Sequence, residues 1–493
     1  MNSQDAVTGM EVVPTRWFAS RIDHDQGRGW RRVCLWASIA VLVFHAAYAW
    51  PQTGFLTVVY LFALVQLARA DTWRKAFYAG LAVGMGISSV KLAFFWRIFS
   101  AGAIALWLVY AFWIGLFAIL GRACLKKFPT PLSWFALPFV WIGPEYFRSE
   151  LYYLRFSWLN PGMAFGLSPE QVPLRDLGIY GLSFVLMGIA CGAAFFWQGS
   201  KTKAVLVLIA GVGGLRLWAA LSPLAHQSST QVQVAGVQME FPTEQEVLLR
   251  LNELIRKYPK AELLVLSEYT FGEGVPQKIL GWCREQAKYL VVGGRDPVSG
   301  NFYNTAYVIS PEGKIIFRQA KSVPIQFFKD GLPAPEQRVW NSPWGKIGIC
   351  ICYDLSYSRV TDKLVELGAQ ALVVPTMDVA DWGQRQHELH ARVAPLRAAE
   401  YGVPVFRLAS SGISQAVDRK GRVPSTAPCL GDGAMLSTTL ELAVAGRRPL
   451  DRWFAPFATG ITALLLLLFC IRSVLECIKP KELQIEPPQP GAG

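Results

Sequence analysis

Eight apolar runs limit what this chain can fold into. They lie at about 33–50, 55–70, 77–98, 101–121, 132–147, 179–197, 204–222 and 453–475. A bilayer core of about 30 Å is crossed by roughly 20 apolar residues in a helix. Several runs reach that length; the second and fifth are short. A long, more polar stretch separates the seventh run from the eighth. The pattern predicts a multi-pass membrane protein with one extramembrane domain set ahead of its last span. Composition agrees: 17% of the 493 residues are charged, against about 25% in soluble domains, and 18 Trp and 29 Phe add apolar bulk.

Basic residues orient the runs. Arg16, Arg21, Arg28, Arg31 and Arg32 precede the first, and no small-residue cleavage site follows it, so the segment reads as an anchor. Arg69, Arg74 and Lys75 follow the second run, Arg122, Lys126 and Lys127 the fourth, Lys201 and Lys203 the sixth, and Arg472, Lys479 and Lys481 the eighth. Positive connections stay in the cytoplasm. The expected order is a cytoplasmic segment 1–32, a membrane domain 33–222 of about seven spans, an outer domain 223–452, a last span 453–475 and a disordered, Pro-rich cytoplasmic tail 476–493. The net charge of +13 forms no basic stripe in a soluble module, which argues against nucleic acid and for membrane lipids as partners. The nine Cys make no CxxC pair and no zinc ligand set. The aromatic loop 148–178 suits the headgroup level. Glu145 and Arg148, three apart, read as a helix-end ion pair.

Between about 230 and 445 the periodicity changes. Strand-like runs at 232–238, 263–266, 289–293, 307–310, 346–352, 371–375 and 403–409 alternate with helical stretches at 244–258, 275–287, 358–367 and 384–401. Such alternation predicts a layered α/β domain. Within it, KIGICICYD predicts a buried strand broken at Cys352-Tyr353-Asp354. A thiol at a strand end can project into a pocket as a nucleophile; in isolation it reads equally as a small core residue. Glu268 ends the strand LLVLSE beside apolar and aromatic neighbours, a setting that raises a carboxyl pKa and suits a general base. Lys321 follows the strand KIIF, where an ammonium can stabilise a developing oxyanion. Polar side chains on successive strand ends can converge on one pocket. His387 and His390 in HELH lack the HExxH spacing of a zinc site, and His387 is an alternative base for Cys352.

The order Glu268, Lys321, Cys352 resembles the Glu–Lys–Cys triad of the nitrilase (carbon–nitrogen hydrolase) superfamily. With the membrane layout, the whole chain resembles the apolipoprotein N-acyltransferase family. WIGPEYFRSE, FSWLNPG and PLRDLGIYGLSF bear the likeness in the membrane part, and FYNTAYV, GICICYD and RQHELHARVAPLRAAEYGVPVFRLASSG in the outer domain. The resemblance implies a polytopic helical membrane domain joined to an αββα nitrilase-like sandwich, set in a bacterial cytoplasmic (inner) membrane with the 223–452 domain on the periplasmic side. It implies Cys352 as nucleophile, Glu268 as base, Lys321 as oxyanion stabiliser, and Asn304, Tyr353 and Asp354 as supports. Asp354 stands where the family has Glu, and SVPIQFF holds no glutamate where the family has a further one.

The implied activity is transfer of an acyl chain from a phospholipid to the α-amine of an S-diacylglyceryl cysteine on an apolipoprotein, through a thioester and without metal or organic cofactor. The alternatives are a membrane-tethered amidase and a catalytically inactive lipid- or lipoprotein-binding protein.

Overall fold

Every one of the eight apolar runs is helical in the computed structural model, which describes residues 16–222 and 229–478. The helices are α1 (Arg16–Ala47), α2 (Leu56–Ala68), α3 (Trp73–Lys91), α4 (Phe94–Phe99), α5 (Gly102–Lys127), α6 (Leu132–Tyr146), α7 (Leu174–Trp197) and α8 (Lys201–Leu221), with a last helix at Asp451–Ile478. Five of them are long and apolar enough to cross a membrane: Gly29–Ala47, Gly102–Lys127, Leu174–Trp197, Lys201–Leu221 and Asp451–Arg472. The third apolar run divides near Leu92 into α3 and the short α4. Residues 1–15 of the expected cytoplasmic segment, the 223–228 start of the expected outer domain, and 479–493 of the expected tail lie outside the described residues.

Small residues let α3 and α5 touch backbone to backbone. A Cβ at Gly80 would come within 2.8 Å of Gly115 Cα, and one at Gly84 would run into Ala111. Where lipid removes any hydrophobic drive between helices, such close packing holds them together.

The polar stretch forms an αββα sandwich. Its elements are β1 (Thr230–Val237), α9 (Glu244–Lys257), β2 (Leu263–Val265), α10 (Gln277–Gln286), β3 (Tyr289–Val298), β4 (Asn301–Ile309), β5 (Ile315–Ala320), β6 (Val339–Ser342), β7 (Gly345–Ile349), α11 (Ser358–Glu366), β8 (Ala371–Thr376), α12 (Gln384–Ala391), α13 (Val393–Tyr401), β9 (Val405–Ala409), β10 (Ser414–Val417), β11 (Ser425–Ala427) and β12 (Met435–Leu442); the final helix is α14. One sheet runs β12-β1-β2-β3-β4-β5 and the other β11-β10-β9-β8-β7-β6. The central pairs β1–β2, β2–β3, β7–β8 and β8–β9 are parallel. Side chains alternate across each strand: Ala235 and Leu264 join α9 and α10 in one core, whereas Val234 and Leu263 join the other.

Three expectations are corrected. The strand ending in the Cys352 thiol stops at Ile349, and Cys352 to Ser356 form a 3-10 turn. The helix expected over 384–401 is two helices, because Pro395 has no N–H for the carbonyl of Ala391. The aromatic loop after α6 packs into the protein. Trp158 and Phe165 are buried, and Trp158 Nε1 donates to Ser356 Oγ at 3.0 Å. Arg148 donates to Asn160 Oδ1 and the Phe156 carbonyl and makes no ion pair with Glu145. Instead Glu150 joins the two parts of the molecule, accepting from Tyr180 OH in α7 and from the Ser358 hydroxyl at the start of α11.

Candidate active site

Glu268, Lys321 and Cys352 follow β2, β5 and β7, on two different sheets, and the sandwich brings them together. The loop bearing Glu268 needs Gly293 beside it: a Cβ there would sit 2.6 Å from Glu268 Cα. Glu268 is 1% and Lys321 0% exposed. Lys321 Nζ lies 2.8 Å from Glu268 Oε1 and 2.7 Å from Asp330 Oδ2. Asn304 Nδ2 donates to Glu268 Oε1 at 2.6 Å and to Asp330 Oδ1 at 2.9 Å. Met377 N–H donates to Glu268 Oε2 at 2.7 Å.

Asp330 is the residue that the sequence reading missed. Besides Lys321 and Asn304 it accepts from Tyr269 OH at 2.8 Å and Ile325 N–H at 2.8 Å. SVPIQFF has no glutamate, but the chain just beyond it returns an aspartate to the same lysine. The one signal was a lone acid in a Lys-Asp-Gly turn, which normally reads as solvated.

Cys352 occupies left-handed backbone, φ 53°, a conformation disfavoured for side chains bearing a Cβ. It turns the thiol out of the strand direction, and Sγ lies 3.6 Å from the Met377 carbonyl. Asp354 clamps this turn to the lysine loop, accepting from Ile351 N–H at 3.2 Å, Ser322 N–H at 3.1 Å and Val323 N–H at 2.7 Å. Tyr353 OH donates to the Arg155 carbonyl at 3.2 Å, tying the turn to the membrane-domain loop. Cys350, expected on the strand with Cys352, lies past its end and is fully buried.

Electrostatics divides the labour. Burial pushes the Cys352 thiol well up, Glu268 adds to this, and Lys321 opposes it. Burial also raises Glu268 against the pull of Lys321. Despite the desolvation of full burial, Asp330 and Glu268 keep Lys321 firmly charged. Burial opposes the charge on Asp330, but Lys321 outweighs it and holds Asp330 below its ordinary value. Lys321 thus pairs with ionised Asp330, which leaves Glu268 as the carboxyl that can take up and release a proton. Asp354 is pushed up to about 6 by burial, against Lys321 and its three N–H donors.

His387 makes no bond to Cys352; both its ring nitrogens are without hydrogen-bond partners. His390 Nδ1 is 2.7 Å from Asp378 Oδ1, Arg407 bonds the other oxygen of Asp378, and the His390 ring stacks on Trp158 at 4.9 Å. This buried group braces the floor beneath the membrane-domain loop.

The thiol opens into an apolar cleft of about 1010 Å³, counting the part open to solvent. Leu92, Phe94, Phe95, Ile98, Leu106, Val109, Trp113 and Trp158 line it from the membrane domain, and Tyr353, Phe328 and Trp382 from the sandwich. A second cleft, of about 1090 Å³ counting the part open to solvent, is lined by Glu268.

The apolipoprotein N-acyltransferase N-terminal domain family matches residues 33–192, and the carbon–nitrogen hydrolase family matches residues 233–447. The apolipoprotein N-acyltransferase of Shewanella oneidensis is 24% identical over 450 residues, 80% of this chain and 84% of its own. Apolipoprotein N-acyltransferase 2 of Treponema denticola is 27% identical over 427 residues, 72% and 80% of the two chains. Among solved structures, Saccharomyces cerevisiae Nit3, a nitrilase-superfamily member, aligns at 20% identity and a TM-score of 0.37, over 45% of this chain and 93% of its own.

Proposed function

Because the chain matches the apolipoprotein N-acyltransferase N-terminal domain family over 33–192 and the carbon–nitrogen hydrolase family over 233–447, and resembles curated apolipoprotein N-acyltransferases over most of its length, we propose that it moves an acyl chain from a phospholipid to the α-amine of an S-diacylglyceryl cysteine at a lipoprotein N-terminus. It is a bacterial inner-membrane protein; in this reading the sandwich sits on the periplasmic side, as the basic even-numbered connections imply. One observation supports the reading above the others. The Cys352 thiol faces an apolar cleft walled largely by the membrane domain, so its natural electrophile is an acyl ester arriving from lipid.

Glu268 takes the thiol proton, and the sulfur attacks the ester carbonyl. The tetrahedral oxyanion forms beside Lys321, whose charge is already in place and needs no reorganisation. Collapse breaks the ester C–O bond, Glu268 returns the proton to the departing lysophospholipid, and a Cys352 thioester remains. Splitting acyl transfer at a covalent intermediate replaces one hard step with two easier ones. Because burial raises both Cys352 and Glu268, the thiol rests protonated, and proton transfer is between groups shifted in the same direction.

A labelled phosphatidylethanolamine and a synthetic diacylglyceryl-cysteine peptide test this. Label should move to the peptide amine, and Cys352→Ala should abolish the transfer. Release of free fatty acid with no peptide product would instead identify a hydrolase.

A further inference from the structure

The two clefts meet at the catalytic groups but expose different ones. Cys352 lines the apolar cleft and Glu268 the second; Ile325, Phe328 and Trp382 form the partition and line both. Phe328 and Trp382 are in ring contact, centroids 5.9 Å apart. The linings differ in degree. The first cleft sets a few polar groups, such as Arg148, Arg155 and Gln386, among many aromatic and aliphatic side chains. Beyond the partition the second is the more polar, presenting Tyr269, Thr270, Arg295, Lys329 and Asp330. Arg295 is held in place over the rings of Tyr269 and Phe302.

We propose that the second cleft holds the first residues of the acceptor polypeptide, the segment that follows the cysteine being acylated. The assignment rests on the acyltransferase reading. An acceptor of that kind joins lipid chains to a water-soluble polypeptide through the reacting residue. Its peptide N–H and C=O groups would lose about 2–7 kcal/mol apiece if buried without partners, so the more apolar cleft suits the lipid chains and the more polar one the peptide. The peptide leaves on the side richer in polar groups. The same route places the amine against Glu268. There the amine nitrogen attacks the thioester carbonyl, Glu268 takes the amine proton, the C–S bond breaks, and the proton returns to Cys352 sulfur. The two exposed cations at the rim, Arg295 and Lys329, favour a neutral or acidic segment over a basic one.

The test separates peptide passage from chemistry. A Cβ at exposed Gly272 meets nothing within 4 Å, so Gly272→Trp places a wedge in the cleft. Acyl-enzyme is first prepared from phosphatidylethanolamine, then discharged either by a synthetic diacylglyceryl-cysteine hexapeptide or by hydroxylamine, which is small enough to pass a wedge. The expected result is at least tenfold slower discharge by the peptide, with hydroxylamine unaffected. Unchanged peptide discharge, or equal slowing of both, would overturn the assignment. A second measurement uses the unsubstituted protein and the hexapeptide with benzophenone at its third residue. Crosslinks should fall near Phe241, Tyr269 and Arg295; crosslinks confined to Leu92–Val109 would also overturn it. If phosphatidylethanolamine never loads Cys352, the acyltransferase reading itself fails, a result distinct from loading followed by normal peptide discharge.

Discussion

Asp330→Asn removes one charge from the Glu268–Lys321–Asp330 cluster proposed as catalytic while keeping the side chain's shape. With Glu268, Asp330 and Lys321 ionised, the cluster carries two negative charges against one positive, all in reach of one ammonium. Asp330 accepts four hydrogen bonds, two on each oxygen. An amide keeps one oxygen and turns an NH2 toward two donors on the other side. Breaking one partner out of a buried charge pair costs about 3–5 kcal/mol, so the variant should unfold at a markedly lower temperature in detergent. The effect on rate comes through Lys321, which loses one of its two anchors; the loss of one oxyanion donor, about 10²–10³ in rate, is the upper scale. A third readout separates positioning from general damage. The Asp330 charge raises Glu268, and Lys321 lowers it. Without Asp330, Glu268 ionises at lower pH, and the acid limb of the loading rate moves to lower pH. Single-turnover loading of Cys352, followed by intact mass between about pH 5 and 9, measures both. A near-native rate with an unmoved acid limb would refute the role given to Asp330.

Lys321→Met should slow both thioester formation and its discharge by about 10²–10³, with little change in phospholipid binding, because the charge it meets develops in the transition state; quench-flow loading and a vesicle-binding assay check the two halves. Asp354 binds its proton more tightly in the fold, at about 6, than in an unfolded chain at about 3.9. The group therefore adds stability as pH falls from about 6 to 4 and withdraws it as pH rises through that window. Activity should run the other way, declining below about pH 6 as the proton on one Asp354 oxygen weakens its hold on the N–H groups of Ile351, Ser322 and Val323; comparing melting temperature and loading rate with Asp354→Asn isolates both trends. Reporter fusions at Ser229 and Lys127 should report periplasm and cytoplasm respectively, and a cytoplasmic signal from Ser229 would reverse the proposed orientation.

The legible parts of this protein were those written in local pattern. Eight apolar runs became helices because each holds its own backbone hydrogen bonds, whatever surrounds it. Central strands such as β2 and β8 were plain because they are short and continuously apolar. The strands β6, β10, β11 and β12 were not. The first three are short and of mixed residues, and β12 takes its partner from far away in sequence, pairing with β1 across some two hundred residues. The same reason hid Asp330. Nothing local distinguishes it from a surface aspartate; only the approach of Lys321, Asn304 and Tyr269 from other segments does. Trp158 likewise carries no local sign that its indole meets Ser356 and His390. The split between a thiol-facing and a carboxylate-facing cleft belongs to the packing of the whole molecule and has no sequence signature.

The most direct test of the central claim is the intact mass of the purified protein after exposure to a phospholipid of known chains. Cys352 should gain one acyl group, removable by neutral hydroxylamine as a thioester is, and Cys350→Ala should acquire the same mass while Cys352→Ala should not. Acylation that persists in Cys352→Ala, or that is lost in Cys350→Ala alone, would contradict the account.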